Sequence, residues 1–287
     1  MGKFIVIGGI NHDTLGFIQN NSPVLYSSNP CITQTSYGGV AYNIARQLSQ
    51  RNHHVRFVSL IGDDEKGRNA LNDAQLYNIN PSSIIKIKSA PTSSYFSFLK
   101  KNREMLISFS DMSIMSFLTP SLLEPILHNT THNDALIIDA NTPKETCEYL
   151  YKWSKNRACF FAGVAVSACK MKNFLAIINK FDCLIMNRHE AFTLAGNSKN
   201  LEEVLKNLAL PHVAITDGAK GVSIISKGKK IFYPAPLCPN IIDTNGAGDA
   251  FSAGFICALI NNLPVDQAVS LAFNWATATL QHWGAHP

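Results

Sequence analysis

Asp243-Thr244-Asn245-Gly246-Ala247-Gly248-Asp249-Ala250-Phe251 joins two patterns. Upstream, Ile241 and Ile242 close an apolar stretch; downstream, Phe251, Gly254, Phe255, Ala258 and Leu259 recur at helical spacing. The glycines therefore sit where a helix begins. Unpaired backbone N–H groups and the positive end of the helix dipole converge there, and small residues let an anion approach. A Walker loop needs Lys followed by Ser or Thr after its last glycine, a place held here by Asp249. A carboxylate beside an anion cradle makes sense when a neutral hydroxyl lies between them, losing its proton to Asp249 as it attacks a phosphoryl group. A helix cap over a tight turn is the plain structural alternative.

Outward from this stretch the pattern alternates. Phe4 to Ile7, Val55 to Ile61, Leu136 to Ile138, Cys159 to Phe161, Leu184 to Met186, Val213 to Thr216 and Val222 to Ile225 read as strands. Val40 to Leu48, Gly67 to Tyr77, Pro143 to Lys155, His189 to Ala195, Ala250 to Ile260 and Val265 to Gln281 read as helices. Repeated βα units predict a three-layer α/β fold with a mostly parallel central sheet. Two insertions interrupt it: residues 14–37 hold no good helix, and within 87–112 Ser94 to Phe109 reads as two strands around the polar turn Lys100 to Glu104. Together they predict a small β-sheet lid beside the C-terminal strand ends, set in a single domain spanning 1–287.

Composition narrows the class. With 46% hydrophobic residues the 287-residue chain can bury a sizeable core. The net charge of +5 is scattered, with no basic stripe of the kind nucleic acid requires. Seven cysteines without a CxxC pair read as reduced, mostly buried thiols. The opening Lys3 to Ile10 is too short to span a membrane and lacks the features of a leader, so a cytoplasmic location is expected. Gly8-Gly9-Ile10-Asn11-His12-Asp13 does not supply the Gly-x-Gly-x-x-Gly of a dinucleotide fold.

Asp243 to Asp249 with its small-residue helix, and Gly38-Gly39-Val40-Ala41-Tyr42-Asn43-Ile44-Ala45 far upstream, resemble the two signatures of the ribokinase-like (PfkB) carbohydrate kinases. The resemblance extends to Gly8 to Asp13, Ile61 to Asp64 with Gly67, Asn187 to Glu190, Thr216 to Gly218 with Gly221, and Asn274 to Pro287. It implies the ribokinase-like fold, a small-molecule substrate and ATP. Asp249 would be the catalytic base, with the amides of Gly246, Ala247 and Gly248 as an anion hole. Asn11, Asp13, Gly39, Asn43 and Asn141 would hold the substrate. Asn187, Thr216, Gly218, Gly221 and Asn274 would bind the nucleotide, and Glu190 would organise Mg2+ through water.

Within the family, Ser28 to Pro30, Thr92 to Tyr95, Glu104 to Leu106, Asp111-Met112, and Val166 to Ala168 with Lys170 resemble the subgroup that phosphorylates the 5′-hydroxyl of pseudouridine. That places Thr92, Ser94 and Asp111 near the base. Tyr42 and Ser110 depart from the subgroup's Arg and Asn, and Gly163-Val164-Ala165 stands where an Asp-Pro pair is expected. Two other readings stay open: another ribokinase-like sugar or nucleoside kinase, and a catalytically weak ligand-binding homologue. An uncovered lid edge predicts a homodimer through the lid. Many relatives also hold K+ beside the anion loop, and the stop at Pro287 predicts a weak response to it. Turnover in potassium against a bulky organic cation measures this, and strong activation by potassium would refute it.

Overall fold

The computed structural model describes residues 4–20, 23–101, 104–128, 134–196, 208–282 and 284–285. Residues 102 and 103 of the expected lid turn, and 283, 286 and 287 of the C-terminal segment, lie outside the described residues. The main sheet contains β1 (Phe4–Ile7), β4 (Val55–Gly62), β5 (Ile84–Ile87), β8 (Ala135–Asp139), β9 (Phe160–Val164), β10 (Cys183–Asn187), β11 (His212–Thr216), β12 (Gly221–Ser226) and β13 (Lys229–Pro234). Among the described residues its order is β13-β12-β11-β10-β9-β8-β1-β4-β5. β4, β5 and β8 to β11 pair parallel through β1, while β12 and β13 fold back antiparallel.

Strand alternation divides the core between two helix layers. Phe4 and Val6 of β1, Ala135 and Ile137 of β8 and Cys183 and Ile185 of β10 face one cluster. It also contains residues of α1 (Val40–Ser49), α2 (Glu65–Leu76), α6 (Ala247–Ile260) and α7 (Val265–Leu280). Their strand neighbours Ile5, Ile7, Leu136, Ile138, Leu184 and Met186 face the other. There α3 (Pro120–Leu127), α4 (Lys144–Asn156) and α5 (Arg188–Leu194) complete the sandwich. The small residues of α6 set its spacing from α7: a Cβ on Gly254 would lie 2.9 Å from Ala272 Cα.

The second sheet, ordered β3-β2-β6-β7, comprises β2 (Asn11–Ile18), β3 (Cys31–Gly38), β6 (Ser94–Leu99) and β7 (Met105–Asp111). β2 leaves the main sheet directly after β1, and β3 returns directly into α1. The sheet therefore begins at Asn11, earlier than residue 14. Three elements were not anticipated from sequence. β5 is a four-residue edge strand, β13 opens on two exposed lysines, and α3 contains Pro120 and Pro125, residues that argue locally against a helix. The glycine at 163 also has a packing cause, because a Cβ there would lie 2.7 Å from the ring of Phe181, which stacks on Phe161.

A half-buried clamp ties the head of β6 to α2. Asp64 caps α2 by accepting from Gly67 N at 2.7 Å, and also accepts from Thr92 N at 2.8 Å and Thr92 Oγ1 at 2.6 Å. Thr92 Oγ1 accepts from Gly62 N at 2.8 Å. Thr92→Val keeps the shape but leaves Gly62 N–H unpaired, so a loss of roughly 1–3 kcal/mol is expected in denaturant unfolding.

Candidate active site

The cavity lies where α1 and α6 begin, at the C-terminal ends of the parallel strands. It measures about 790 Å³, and Asn11, Asp13, Gly39, Asn43, Asn141, Gly246 and Asp249 all line it. These residues come from distant parts of the chain. β2 carries Asn11 and Asp13, α1 carries Asn43, the loop after β8 carries Asn141, and the first turn of α6 carries Asp249.

Gly246 adopts φ 75°, the left-handed conformation in which a side chain is strained, and turns the chain into α6. A Cβ on Gly248 would meet nothing within 4 Å, so open space lies beside the loop. The loop is braced from below: Asp243 accepts from Asn245 N at 3.0 Å and from Gly284 N at 2.9 Å. Asn43 Nδ2 donates to Asp249 Oδ2 at 2.7 Å, joining the starts of the two helices. Asn11 Nδ2 donates to Asp13 Oδ1. A Cβ on Gly38 would lie 2.2 Å from Asp13 Oδ2, and Gly39 has φ 113°, so the paired glycines let β3 pass close to both groups.

Burial dominates the electrostatics. It pushes Asp249 up to about 7; the Asn43 bond opposes this, while the charges of Asp139 and Glu190 add to it. Asp249 nevertheless keeps part of its side chain open to the cavity. Asp13 is likewise pushed up to about 7, chiefly by burial, with Asn11 opposing and Asp249 adding to the rise.

The nucleotide candidates lie elsewhere. Asn187 ends β10 in register with Thr216 at the end of β11, and neither lines this cavity. Asn187 and Glu190 form a reciprocal capping box: Glu190 N donates to Asn187 Oδ1 at 2.9 Å, and Asn187 N donates to Glu190 Oε2 at 2.7 Å. Gly218 is exposed with open space around it, and Asn274 is exposed on α7. Gly221 is buried at φ 128°, where a Cβ would strike Tyr233 O, so its glycine is required by the β12–β13 turn-back.

Three expected base contacts do not line the cavity. Thr92 is held in the Asp64 clamp, Ser94 Oγ accepts from Lys66 Nζ at 3.0 Å, and Asp111 Oδ1 accepts from Ser113 N at 3.0 Å. Instead Tyr95, Ser108 and Ser110 line it, one or more positions away on β6 and β7. Alternation along a strand sends neighbouring side chains to opposite faces, and the register was not readable without the pairing. Arg46 and Lys170 also line the cavity. Arg46 was absent from the expected set, although its helical spacing of three from Asn43 pointed to it. It donates to Tyr37 O at 3.1 Å and lies 3.8 Å from the centroid of the Tyr77 ring. Tyr42 is in the core, where its hydroxyl donates to Asp73 Oδ2 at 2.5 Å.

The model of the pfkB family of carbohydrate kinases matches residues 4–287. The chain belongs to this family. It is 27% identical over 276 residues to pseudouridine kinase of Escherichia coli K12, covering 93% of this chain and 87% of that protein. Ribokinase of Haemophilus influenzae is 26% identical over 291 residues, 98% of this chain and 92% of the relative. The structure of a carbohydrate kinase from Agrobacterium tumefaciens superposes with a TM-score of 0.83 at 26% identity, covering 100% of this chain and 93% of that one. The ribokinase-like α/β fold expected from the sequence is the one observed, and the family is one of phosphotransferases with an alcohol acceptor. No helix among the described residues is long and apolar enough to cross a membrane.

Because folding raises the carboxyl value of Asp249 above its ordinary 3.8, the stability linked to it is complete below that value and is lost as pH rises through about 7. Asp249→Asn removes this dependence. At pH 8 it should raise the thermal midpoint by about 2–4 °C or more, and at pH 4 by little, as scanning calorimetry would show.

Proposed function

We propose that this protein transfers the terminal phosphoryl group of ATP to the 5′-hydroxyl of pseudouridine. The observation that carries the transfer is Asp249. Its carboxyl is poised at about 7, held by Asn43 inside the cavity, one residue from the open space beside Gly248. In this reading Asp249 takes the proton of the acceptor hydroxyl as its oxygen attacks. The amides of Gly246, Ala247 and Gly248, at the positive end of α6, face the charge that develops. Asn11, Asp13, Gly39, Asn43 and Asn141 hold the sugar hydroxyls.

The choice of pseudouridine leans on the similarity to the E. coli enzyme and on the part of the cavity lining beside Asp13, where Tyr95 is its register partner on the same sheet. Tyr95, Ser108 and Ser110 there take the place of Thr92, Ser94 and Asp111 in meeting the base, since a ring face and two hydroxyls suit a planar group with both donors and acceptors. The similarity to ribokinase of H. influenzae over nearly its whole length favours ribose as the second acceptor to examine.

The residues present fit ATP and magnesium. Asn187, Thr216 and Gly218 stand at the same edge of β10, β11 and the turn that follows, with Asn274 on α7. Among the described residues no cluster of three or more His, Cys, Asp or Glu could cage a metal, and Glu190 commits Oε2 to the Asn187 amide. That suits a magnesium ion held mainly by water and phosphate, which when bound neutralises phosphate charge. Two copies would pair through the small sheet, where β3 and β7 are edges and Ile32, Ile107 and Phe109 are exposed. A cytoplasmic setting accords with the free cysteines.

Asp249→Asn should lower turnover of pseudouridine by roughly 10²–10⁴-fold while pseudouridine binding persists. Coupled ATP-consumption assays over pseudouridine, uridine and ribose check this. Preference for uridine or ribose would move the acceptor assignment. Binding without turnover, unaltered by the substitution, would favour a ligand-binding homologue.

A further inference from the structure

Asp139 ends β8 behind the cavity wall; its charge adds to the rise at Asp249, but it is given no substrate or nucleotide contact above. It is 1% exposed and does not itself line the cavity. Its Oδ2 accepts from Gly9 N at 3.1 Å, Ala41 N at 3.3 Å and Asn141 Nδ2 at 3.2 Å, and its Oδ1 accepts from Asn141 N at 2.9 Å. One carboxylate thus joins the turn after β1, the first turn of α1 and the loop after β8. The approach is close: a Cβ on Gly8 would lie 2.3 Å from Asp139 Cγ.

Burying a carboxylate costs free energy even when donors meet it, and an apolar side chain would hold β8 in the sheet more cheaply. What the carboxylate adds is orientation. By accepting from Asn141 Nδ2 it fixes which end of that amide is left over, and the remaining Oδ1 is buried with no hydrogen-bond partner among the described residues. Through Ala41 N it also holds α1 two residues before Asn43. Asn43 repeats the arrangement, its Nδ2 committed to Asp249 and its Oδ1 buried without a partner among the described residues. Asn141 and Asn43 are 5% and 8% exposed, and both line the cavity. An unpaired carbonyl oxygen so placed is satisfied by a donor from a bound molecule, and a sugar hydroxyl is such a donor.

We propose that Asp139 is a positioning residue for the acceptor alcohol, holding the Asn141 amide and the first turn of α1 so that the Asn141 and Asn43 amide oxygens receive substrate hydroxyls. This rests on the phosphotransfer reading above. Asp139 meets no substrate; it acts through the two amides. Asp139→Asn keeps the size of the side chain but brings an NH2 to a place where N–H donors converge, so the Asn141 amide loses its fixed orientation.

The test compares the native chain, Asp139→Asn, Asn141→Ala and the double variant, with pseudouridine, uridine, ribose and ATP varied in turn. Asp139→Asn should lower kcat/KM for the preferred acceptor by about tenfold to a hundredfold, through its KM, while the KM for ATP stays within about twofold. Asn141→Ala should cost about tenfold in the native background and less than about twofold in the Asp139→Asn background. Native kinetics in Asp139→Asn, equal losses for ATP and acceptor, or fully multiplicative losses in the double variant would each overturn the proposal. If Asp139→Asn does not fold, Asn141→Ala decides alone, since it leaves the Gly9 and Ala41 bonds in place: an unchanged acceptor KM overturns the proposal. A native chain that neither binds these acceptors by calorimetry nor turns them over removes the phosphotransfer reading, and this one with it. Native turnover with unaltered Asp139→Asn removes this one alone.

Discussion

The hydrogen bond from Asn43 to Asp249 ties together two helices that begin more than two hundred residues apart in sequence. Both start at the same end of the sheet, so two positive helix termini and two groups of free N–H donors converge on one cavity. A carboxylate is the side chain such a place tolerates, and burial then keeps it from being a fully committed anion. The polar lining follows from that arrangement. Asp13 is held by Asn11 while Gly38 and Gly39 bring the chain close, and Asp139 sits behind as a third acidic centre.

Much of this was legible in the sequence because it depends on local chemistry. A glycine-bearing helix start with an aspartate beside it is readable from residues 243–251, although the helix begins at Ala247 and so takes in Gly248, three residues earlier than the sequence pattern indicates. The continuous apolar strands likewise declared a sheet covered on both faces, and residues such as Phe4 and Ile5 do feed opposite layers. Asn43 and Asp13 were found by motif, and the structure brings both to Asp249.

What was not legible depends on register. A one-residue slip on β7 exchanges Asp111 for Ser110, and nothing in the local sequence separates the two faces of a strand that is exposed on both. Thr92 comes to the ligand only through the resemblance to the pseudouridine subgroup, yet its partners Asp64 and Gly62 are some thirty residues away. Asp139 escaped notice for the same reason. At the end of an apolar strand it looks like a boundary residue, and only the tertiary fold shows Gly9, Ala41 and Asn141 gathered around it.

The burial of Tyr42 bears on how such a site diverges. Its ring packs on Phe57, its hydroxyl is spent on Asp73, and the guanidinium of Arg46 lies 5.4 Å from its centre. A cation grafted at that one position would meet the Asp73 carboxylate but also the guanidinium of Arg46 one helical turn on, which would repel it. A change at position 42 therefore acts on α1 and α2 together, because the side chain's partners lie on both.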